Sequence, residues 1–181
     1  MRRVLIIGSG GSGKSYLARQ LGPKLGLPVF HLDPLFWKPG WVETPEPEWR
    51  AIQAQLVRRP RWIIDGNHAS TLDLRLRAAD TVILLDVPRR VCLWRVVKRS
   101  LRHRRRERLD RAQGCRERLN WSFLRWVWTF PRQGRPEVFD ALARHAPGVE
   151  LVVLGGRGDI ARFVACCEPE SPGSKVNLPA P

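Results

Sequence analysis

The 181-residue sequence predicts one α/β domain: a five-stranded parallel sheet with helices on both faces, in three α/β/α layers. Two observations support this fold class. Short runs rich in Val, Ile and Leu alternate with segments of helical periodicity, as expected for parallel strands buried on both faces. A glycine-rich turn also separates the first such run from the first helical segment. We therefore expect residues 1–167 to form the domain and the polar residues 168–181 to form a disordered tail.

The first half of the chain contains three of the predicted strands. The predicted elements are a strand at 3–7, a turn at 8–13, a helix presenting Leu17, Leu21 and Leu25, a strand at 29–32, a loop at 33–44, a helix at 46–58 and a strand at 62–64. Gly26 is a suitable stop for the first helix, and Pro23 is expected to kink or shorten that helix.

The second half contains the other two strands and most of the basic residues. The predicted elements are a short helix at 71–79, a strand at 81–85, a helix from 88 to about 103, a charged run at 102–113, an amphipathic helix at 117–130, a helix at 136–145, a strand at 150–154 and a helix at 159–165. The apolar positions of the 88–103 helix are Val91, Trp94, Val97 and Leu101. Three tryptophans, Trp62, Trp94 and Trp126, are expected in the core.

The chain is strongly basic, because 32 Lys and Arg residues outnumber 17 Asp and Glu residues and give a net charge of +15. Most of the cations are arginine, whose guanidinium group binds phosphate in a bidentate manner. The charge therefore predicts a polyanionic partner, either a nucleotide or a nucleic acid. Apolar runs such as 82–85 fall far short of the ~18 residues of a membrane span, and the run after Met1 is too short for a secretory signal. We expect a cytoplasmic protein with no membrane contact, and the cysteine spacing predicts neither a disulfide framework nor a zinc site.

The clearest motif is the segment Gly8-Ser9-Gly10-Gly11-Ser12-Gly13-Lys14-Ser15, which fits G-x-x-x-x-G-K-[ST] between a predicted strand and a predicted helix. Its glycines let several backbone N–H groups converge on one anion, and the helix that follows adds its positive end. Lys14 is expected to contact the β- and γ-phosphates, and the Ser15 hydroxyl to ligate Mg²⁺. The motif predicts binding of a nucleoside triphosphate with magnesium, ATP or GTP.

Three carboxylates follow predicted strands and are candidates for the magnesium shell. They are Asp33, Asp65 and Asp86. The carboxyl ends of the strands face the ligand crevice in open α/β sheets, so at least one of the three is expected near the metal. The pattern itself does not choose among them.

The succession of motifs resembles the DNA topology modulation protein-like group of P-loop kinases. Besides the phosphate loop, the matching segments are residues 31–37, 40–42, 64–67, 75, 79–80, 84–88, 94–99, 114–115 and 117–118, within about residues 3–165. The group is similar in fold to adenylate kinase and shikimate kinase. The resemblance implies an ATP-binding domain of the nucleoside-monophosphate-kinase class with an arginine-rich lid at about 102–116. It does not identify the acceptor.

The resemblance also implies roles for individual residues. Asp65 matches the Asp-Gly pair of the adenylate kinase D-G-F-P-R segment, which implies a place in the magnesium shell. The proline and arginine of that segment are absent here, and that arginine holds the acceptor phosphate in adenylate kinase. Asp33 falls where shikimate-kinase-like enzymes have an acidic residue that meets the substrate, which makes it the candidate base. Arg157 lies where such kinases shape the adenine pocket.

Residues 89–111 contain 11 basic and two acidic side chains. Three interpretations are open: Arg95 and Arg99 neutralise the phosphoryl group in transfer, the basic stripe binds a nucleic-acid backbone, or it is a solvated helix face. Trp37 and Trp41 lie where an acceptor is expected, and they either stack on it or pack their own loop. Asn67 and His68 are expected to contact the acceptor as well.

Taken together, these features predict a kinase that transfers the γ-phosphoryl group of ATP, with Mg²⁺, to a small acceptor: a nucleotide, a nucleoside or a small hydroxy compound. The alternative is an ATP-dependent or ATP-sensing DNA-binding protein that acts on DNA topology through its arginine-rich segment. The identity of the acceptor and the oligomeric state are not predicted.

Overall fold

A computed structural model describes residues 1–102 and 120–167 of the chain. The strands are β1 (Arg3–Gly8), β2 (Val29–His31), β3 (Trp37–Lys38), β4 (Val42–Glu43), β5 (Trp62–Asp65), β6 (Thr81–Leu85) and β7 (Glu150–Leu154). The helices are α1 (Lys14–Leu25), α2 (Leu32–Phe36), α3 (Glu46–Val57), α4 (Leu72–Ala78, after a 3₁₀ turn at Ala69–Thr71), α5 (Arg89–Arg102), α6 (Trp121–Thr129), α7 (Gly134–His145) and α8 (Arg157–Cys166). The tail at 168–181, the predicted lid beyond Arg102 and the predicted start of the amphipathic helix at 117–119 lie outside the described residues.

Five of the strands form a parallel sheet in the order β2-β5-β1-β6-β7, which confirms the predicted five-stranded parallel sheet. β1 lies at the centre, and Ile6 pairs with Asp65 of β5 on one side and with Ile83 of β6 on the other. The central strands read as continuous apolar runs because neither of their faces meets water. All five carboxyl ends consequently lie along one edge, where the glycine-rich segment follows β1.

Helices cover both faces of this sheet, as the alternation of strands and helices predicts. Val4 and Ile6 face a core shared with α1, α5 and α8, whereas Leu5 and Ile7 face a second core shared with α3, α4 and α7. Each fully buried aliphatic side chain of this kind stabilises the fold by about 1.5–3 kcal/mol. Within the described part of the chain, no helix is both long and apolar enough to cross a bilayer.

The segment predicted as a loop at 33–44 is more ordered than the sequence pattern indicates. β2 ends at His31, so the strand prediction through 32 is wrong by one residue, and the short helix α2 follows directly. β3 and β4 then pair antiparallel as a small hairpin of their own. Thr44 closes this hairpin onto α2, because its backbone N–H and its hydroxyl both donate to the carbonyl of Phe36, at 2.9 and 2.6 Å.

Helix α1 continues through Pro23 and ends at Leu25, so the expected shortening is wrong. A proline in the last turn removes one intrahelical hydrogen bond near an end where bonds are already missing. Gly26 does terminate the helix as predicted: it adopts φ 61° and its N–H donates back to the last turn.

Helix α5 presents a different face to the core than its amphipathic pattern predicts. The predicted apolar positions Val91, Trp94, Val97 and Leu101 are 38%, 61%, 37% and 58% exposed. The buried positions are instead Cys92, Val96 and Ser100. The expectation of a core position for Trp94 is therefore wrong, and so is that for Trp126, which is 37% exposed, whereas Trp62 is fully buried. The reason for the rotation of α5 is a close backbone contact with the glycine-rich segment, described below.

Candidate functional site

A cavity of about 810 Å³ opens at the carboxyl edge of the parallel sheet. Its lining comes from the glycine-rich segment and α1 (Gly10, Gly11, Gly13, Lys14, Ser15, Tyr16 and Arg19), from β2 to β4 (His31, Asp33, Trp37, Gly40, Trp41 and Glu43), from the end of β5 and the turn after it (Asp65, Gly66, Asn67 and His68), and from α5 and α6 (Arg95, Arg99, Asn120, Phe123 and Trp126). Its position is the one where open α/β sheets bind ligands, because the loops that follow the strands diverge there.

The glycine-rich segment forms a turn that places Lys14 beneath its own backbone. Gly11 and Gly13 adopt φ of 79° and 109°, values that favour glycine. The Lys14 ammonium donates to the carbonyls of Gly8 at 2.7 Å and Ser9 at 2.9 Å. Since Gly13, at the N-cap of α1, has no side chain, the first N–H groups of that helix remain available to an anion.

Lys14 is half-buried in the cavity wall, and its electrostatic environment is mixed. Burial lowers the pKa of its ammonium below the ordinary value, while the carboxylates of Asp65 and Asp33 oppose that shift. An anion that enters the cavity would therefore stabilise the charged form of this partly desolvated ammonium.

Two helices approach the glycine-rich segment more closely than any side chain there would allow. A Cβ on Gly11 would stand 2.4 Å from the Cys92 carbonyl oxygen of α5, and a Cβ on Gly10 would stand 2.5 Å from the Phe123 ring of α6. This backbone contact sets the rotation of α5 and turns Arg95 toward the loop. Nη1 of Arg95 donates to the carbonyls of Ser12 at 3.2 Å and Gly11 at 3.4 Å.

The three predicted carboxylates are placed differently. Asp65 and Asp33 line the cavity, whereas Asp86 is not among the lining residues and forms an ion pair with Arg135, Oδ2 to Nε, at 2.9 Å. The buried Asp65 carboxylate accepts a hydrogen bond through its Oδ1 from Nδ1 of His31, at 2.8 Å, when that nitrogen carries the proton. Its Oδ2 is buried and has no hydrogen-bond partner among the described residues.

The donors near Asp65 fit a magnesium ion. Mg²⁺ prefers oxygen ligands and takes one or two from the protein, with phosphate and water oxygens completing the shell. The unpartnered Oδ2 of Asp65 and the hydroxyl of Ser15, on the same cavity wall, are oxygens of this kind. Among residues 1–102 and 120–167, no group of three or more His, Cys, Asp or Glu side chains is arranged to hold a metal without such help.

Another part of the cavity lining comes from α2, the β3–β4 hairpin and the turn after β5. Nε2 of His68 lies 3.4 Å from Oδ1 of Asp33, whose side chain is 62% exposed. The indole rings of Trp37 and Trp41 meet edge to face with centroids 5.3 Å apart. The predicted acceptor residues are thus brought together on one wall of the cavity that also contains the phosphate loop.

A buried arginine holds the turn that carries Asn67 and His68. Arg75 is fully buried and donates to the carbonyls of Gly66 at 2.7 Å, Asn67, and His68 at 2.7 Å. Burial lowers the pKa of Arg75 to about 9, which leaves it charged at neutral pH, and Asp73 opposes the shift. Three consecutive carbonyls aimed at one guanidinium fix the direction of the whole turn.

Other predicted and unpredicted residues complete the site. Gly8, Ser9 and Ser12 stand behind the lining, and Arg157, at the start of α8, is not a lining residue of this cavity. Sequence reasoning did not single out His31, Tyr16, Arg19, Glu43, Asn120, Phe123 and Trp126 as site residues. The position of His31 at the end of a strand was a usable signal. Asn120 is recognisable as a helix N-cap, because its Oδ1 accepts from the N–H of Ser122 at 2.9 Å.

No protein-family model matches this sequence, and no curated protein matches it. Solved structures do match. A shikimate kinase from Acinetobacter baumannii, in complex with shikimate, has a TM-score of 0.55 at 15% identity, over 91% of this chain and 89% of that one. A deoxyadenosine kinase from M. mycoides, with bound dATP, has a TM-score of 0.52 at 13% identity, over 91% and 96% of the two chains.

The chain has the α/β fold of the P-loop kinases. A gluconokinase from Sinorhizobium meliloti 1021, with a TM-score of 0.50 at 15% identity over 91% and 94% of the two chains, shares it. This likeness confirms the predicted fold class. At such identities the P-loop kinase comparison is one of fold, and the sequence resemblance to the DNA topology modulation protein-like group stays a prediction.

Proposed function

We propose that this P-loop protein is a phosphotransferase that moves the γ-phosphoryl group of ATP to a hydroxyl group of a small acceptor. The observation that carries the proposal is the composition of one cavity. Its lining combines a phosphate loop, with its lysine and two arginines, and a carboxylate whose Oδ1 lies 3.4 Å from Nε2 of a histidine. The fold likeness to kinases agrees with this assignment.

At the donor end, the chain supplies positive charge in three forms. When ATP binds, the Lys14 ammonium exchanges the carbonyls of Gly8 and Ser9 for the β- and γ-phosphates. The backbone N–H groups of the loop and of the first turn of α1 bind the same phosphates. Arg95 and Arg99, which line the same wall, neutralise charge on the phosphoryl group in transfer. Ser15 and Asp65 would hold Mg²⁺, which would offset the negative charge of the phosphates.

At the acceptor end, Asp33 is the proposed base. The acceptor oxygen forms a bond to the γ-phosphorus, the bond from that phosphorus to the β–γ bridging oxygen breaks, and ADP leaves with the bonding electron pair. The hydroxyl proton goes to Asp33, whose orientation His68 fixes when its own proton is on Nε2. Trp37, Trp41, Asn67 and His68 form the walls against which the acceptor is positioned.

Measuring ADP formation from ATP and Mg²⁺ across a panel of nucleosides, nucleotides, sugars and hydroxy acids tests this proposal. One acceptor should raise turnover well above hydrolysis of ATP by water, and Lys14→Ala should lower that turnover by at least about 10²-fold. Lys98→Ala is the matched control, because Lys98 is exposed on α5 and stands 4.5 Å from the Trp94 ring, outside the cavity lining. Equal turnover by wild type and Lys14→Ala would refute the proposal.

The predicted alternative, a DNA-binding protein acting through its arginine-rich segment, has less support from the geometry. Arg95 and Arg99 line the cavity, and this position favours the interpretation in which they neutralise the phosphoryl group in transfer. The remaining basic residues at 103–111 lie outside the described residues, so the alternative stays a prediction.

A further inference from the structure

The proposed acceptor residues carry a charge opposite to that of the proposed donor residues. Among the described lining residues, Lys14, Arg95 and Arg99 belong to the donor end and the carboxylates of Asp33 and Glu43 to the acceptor end, and Arg19 of α1 is the one further Lys or Arg. Lys38, the basic residue of the hairpin, has its ammonium 2.9 Å from Oε2 of Glu48 on α3. Lys38 is not among the lining residues of the cavity.

This distribution of charge disfavours an acceptor that carries an anionic group of its own. A phosphate or carboxylate at this end would stand among like charges, with one guanidinium to balance it, in a partly enclosed space that strengthens the repulsion. Hydroxyl groups, in contrast, are donors that two carboxylates can accept from.

Aromatic rings supply the rest of this wall and are held rigidly. Trp41 adopts φ 66°, a conformation that a bulky residue rarely takes, and this brings its indole against that of Trp37. Trp37 packs edge to face on Phe36 at 4.9 Å, and Phe36 packs on the buried Trp49 at 5.1 Å. A chain of rings thus extends from the core to the cavity, and it fixes an apolar surface beside the carboxylates.

We propose that the acceptor is an uncharged polyhydroxylated ring compound, a nucleoside or a sugar, with one face on the Trp37–Trp41 pair and its hydroxyl groups on Asp33 and Glu43. Indole surfaces take up the weakly polar face of such a ring, and paired carboxylates bind and orient its hydroxyl groups. This inference rests on the proposed phosphotransferase function and narrows it to one chemical class of acceptor.

Matched acceptors that differ by one anionic group provide the test: adenosine with AMP, thymidine with dTMP, and glucose with glucuronate. ADP formation is followed with ATP and Mg²⁺, and phosphorylated products are identified by mass spectrometry. The uncharged member of the best pair should have a kcat/KM at least about 100-fold above its anionic partner. A preference for the anionic member would overturn this inference and leave the phosphotransferase function standing. No phosphorylation of either member of any pair would overturn both.

A charge reversal in the hairpin tests the same inference independently of the identity of the best pair. Glu43→Lys should reduce the preference for the uncharged member at least about 10-fold and leave the affinity for ATP unchanged. Glu46→Lys is the control, since Glu46 lies in the first turn of α3 and does not line the cavity. The same change in preference in both variants would mean that general surface charge is responsible, and would overturn the assignment of Glu43.

Discussion

The side-chain amide of Asn67 forms two hydrogen bonds with the backbone of Gly8. Its Oδ1 accepts from the Gly8 N–H at 3.1 Å, and its Nδ2 donates to the Gly8 carbonyl at 2.9 Å. The ladder between β1 and β5 ends at Ile6 and Asp65, and the Gly66 N–H donates to Ile6 one step further. Asn67 therefore continues the ladder with a side chain and joins the glycine-rich segment to the turn after β5.

Asn67→Ala should lower the stability of the protein and weaken ATP binding together. The buried Gly8 N–H loses its acceptor, which costs about 1–3 kcal/mol, whereas the Gly8 carbonyl keeps the Lys14 ammonium. Urea denaturation and an ATP titration measure the two effects. Unchanged affinity for ATP in a destabilised variant would show that the two hydrogen bonds between Asn67 and Gly8 do not shape the phosphate loop.

Arg75→Met should be among the most destabilising substitutions on the buried face of α4. It removes the guanidinium donor of the Gly66 and Asn67 carbonyls, whereas the His68 carbonyl keeps the N–H of Thr71, and a loss of about 3 kcal/mol is expected. Arg77→Met on the same helix is the matched control, because Arg77 is exposed and contacts His145. Chemical denaturation measures both, and similar losses of stability would contradict the role given to Arg75.

Gly11→Ala should separate α5 from the phosphate loop. The new Cβ would stand 2.4 Å from the Cys92 carbonyl oxygen, which is too close for a carbon atom. Residue 11 also has φ 79°, a backbone conformation that alanine rarely adopts, so both effects destabilise the variant. We expect a clear drop in the unfolding temperature and a loss of ATP binding. Gly158→Ala offers the contrast: a Cβ there meets nothing within 4 Å, and alanine in a helix adds about 0.5–1 kcal/mol.

Asp33→Asn and Asp65→Asn should have different kinetic signatures. Removing the proposed base should lower kcat by about 10²–10⁴-fold with little effect on ATP affinity. Asp65→Asn should instead raise the Mg²⁺ concentration needed for half-maximal turnover, because it removes the carboxylate that would ligate the ion. Titrations of ATP and Mg²⁺ separate the two, and a shared magnesium defect would place both residues in the metal shell.

Lys14 gives a pH dependence of defined sign. Burial lowers its pKa, and phosphate binds the charged form, so ATP affinity should be constant below that lowered pKa and fall as pH rises through it. In the nucleotide-free protein, as pH rises, the Lys14 amine loses its proton at a lower pH in the folded state than in the unfolded state. The cost of burying the charged amine is therefore present below the lowered pKa and disappears as pH rises toward 10.5. Lys14→Met should remove both dependences, and ATP titrations and denaturation from neutral to alkaline pH check this.

The sheet and the donor half of the site were predictable because their signals are local. Four apolar runs, at β1, β5, β6 and β7, specify strands, of which β7 at the sheet edge is largely exposed, and the Gly8–Ser15 motif specifies the turn that follows β1. Asp33 and Asp65 could be placed by a general rule, since carboxyl ends of parallel strands share one edge. The same rule also selects Asp86, which pairs with Arg135 and does not line the cavity, so the choice among the three carboxylates needed the tertiary structure.

The features that were missed depend on contacts between distant segments. The pattern of α5 favours burial of Val91 and Trp94, but the approach of the Cys92 carbonyl to Gly11 overrides it. Arginine is rarely buried, so no residue-type rule selects Arg75. The β3 and β4 strands have two residues each, which is too short for an alternating pattern to appear.

The placement of the acceptor wall has an evolutionary consequence. Asp33, Trp37, Trp41 and Glu43 all lie in one short stretch between β2 and α3, and the hairpin in it pairs with no strand of the five-stranded sheet. Insertions, exchanges or substitutions in this stretch can therefore alter which molecule is recognised while the nucleotide-binding half is inherited unchanged. Diversification of substrate range in relatives of this chain should accordingly be concentrated there.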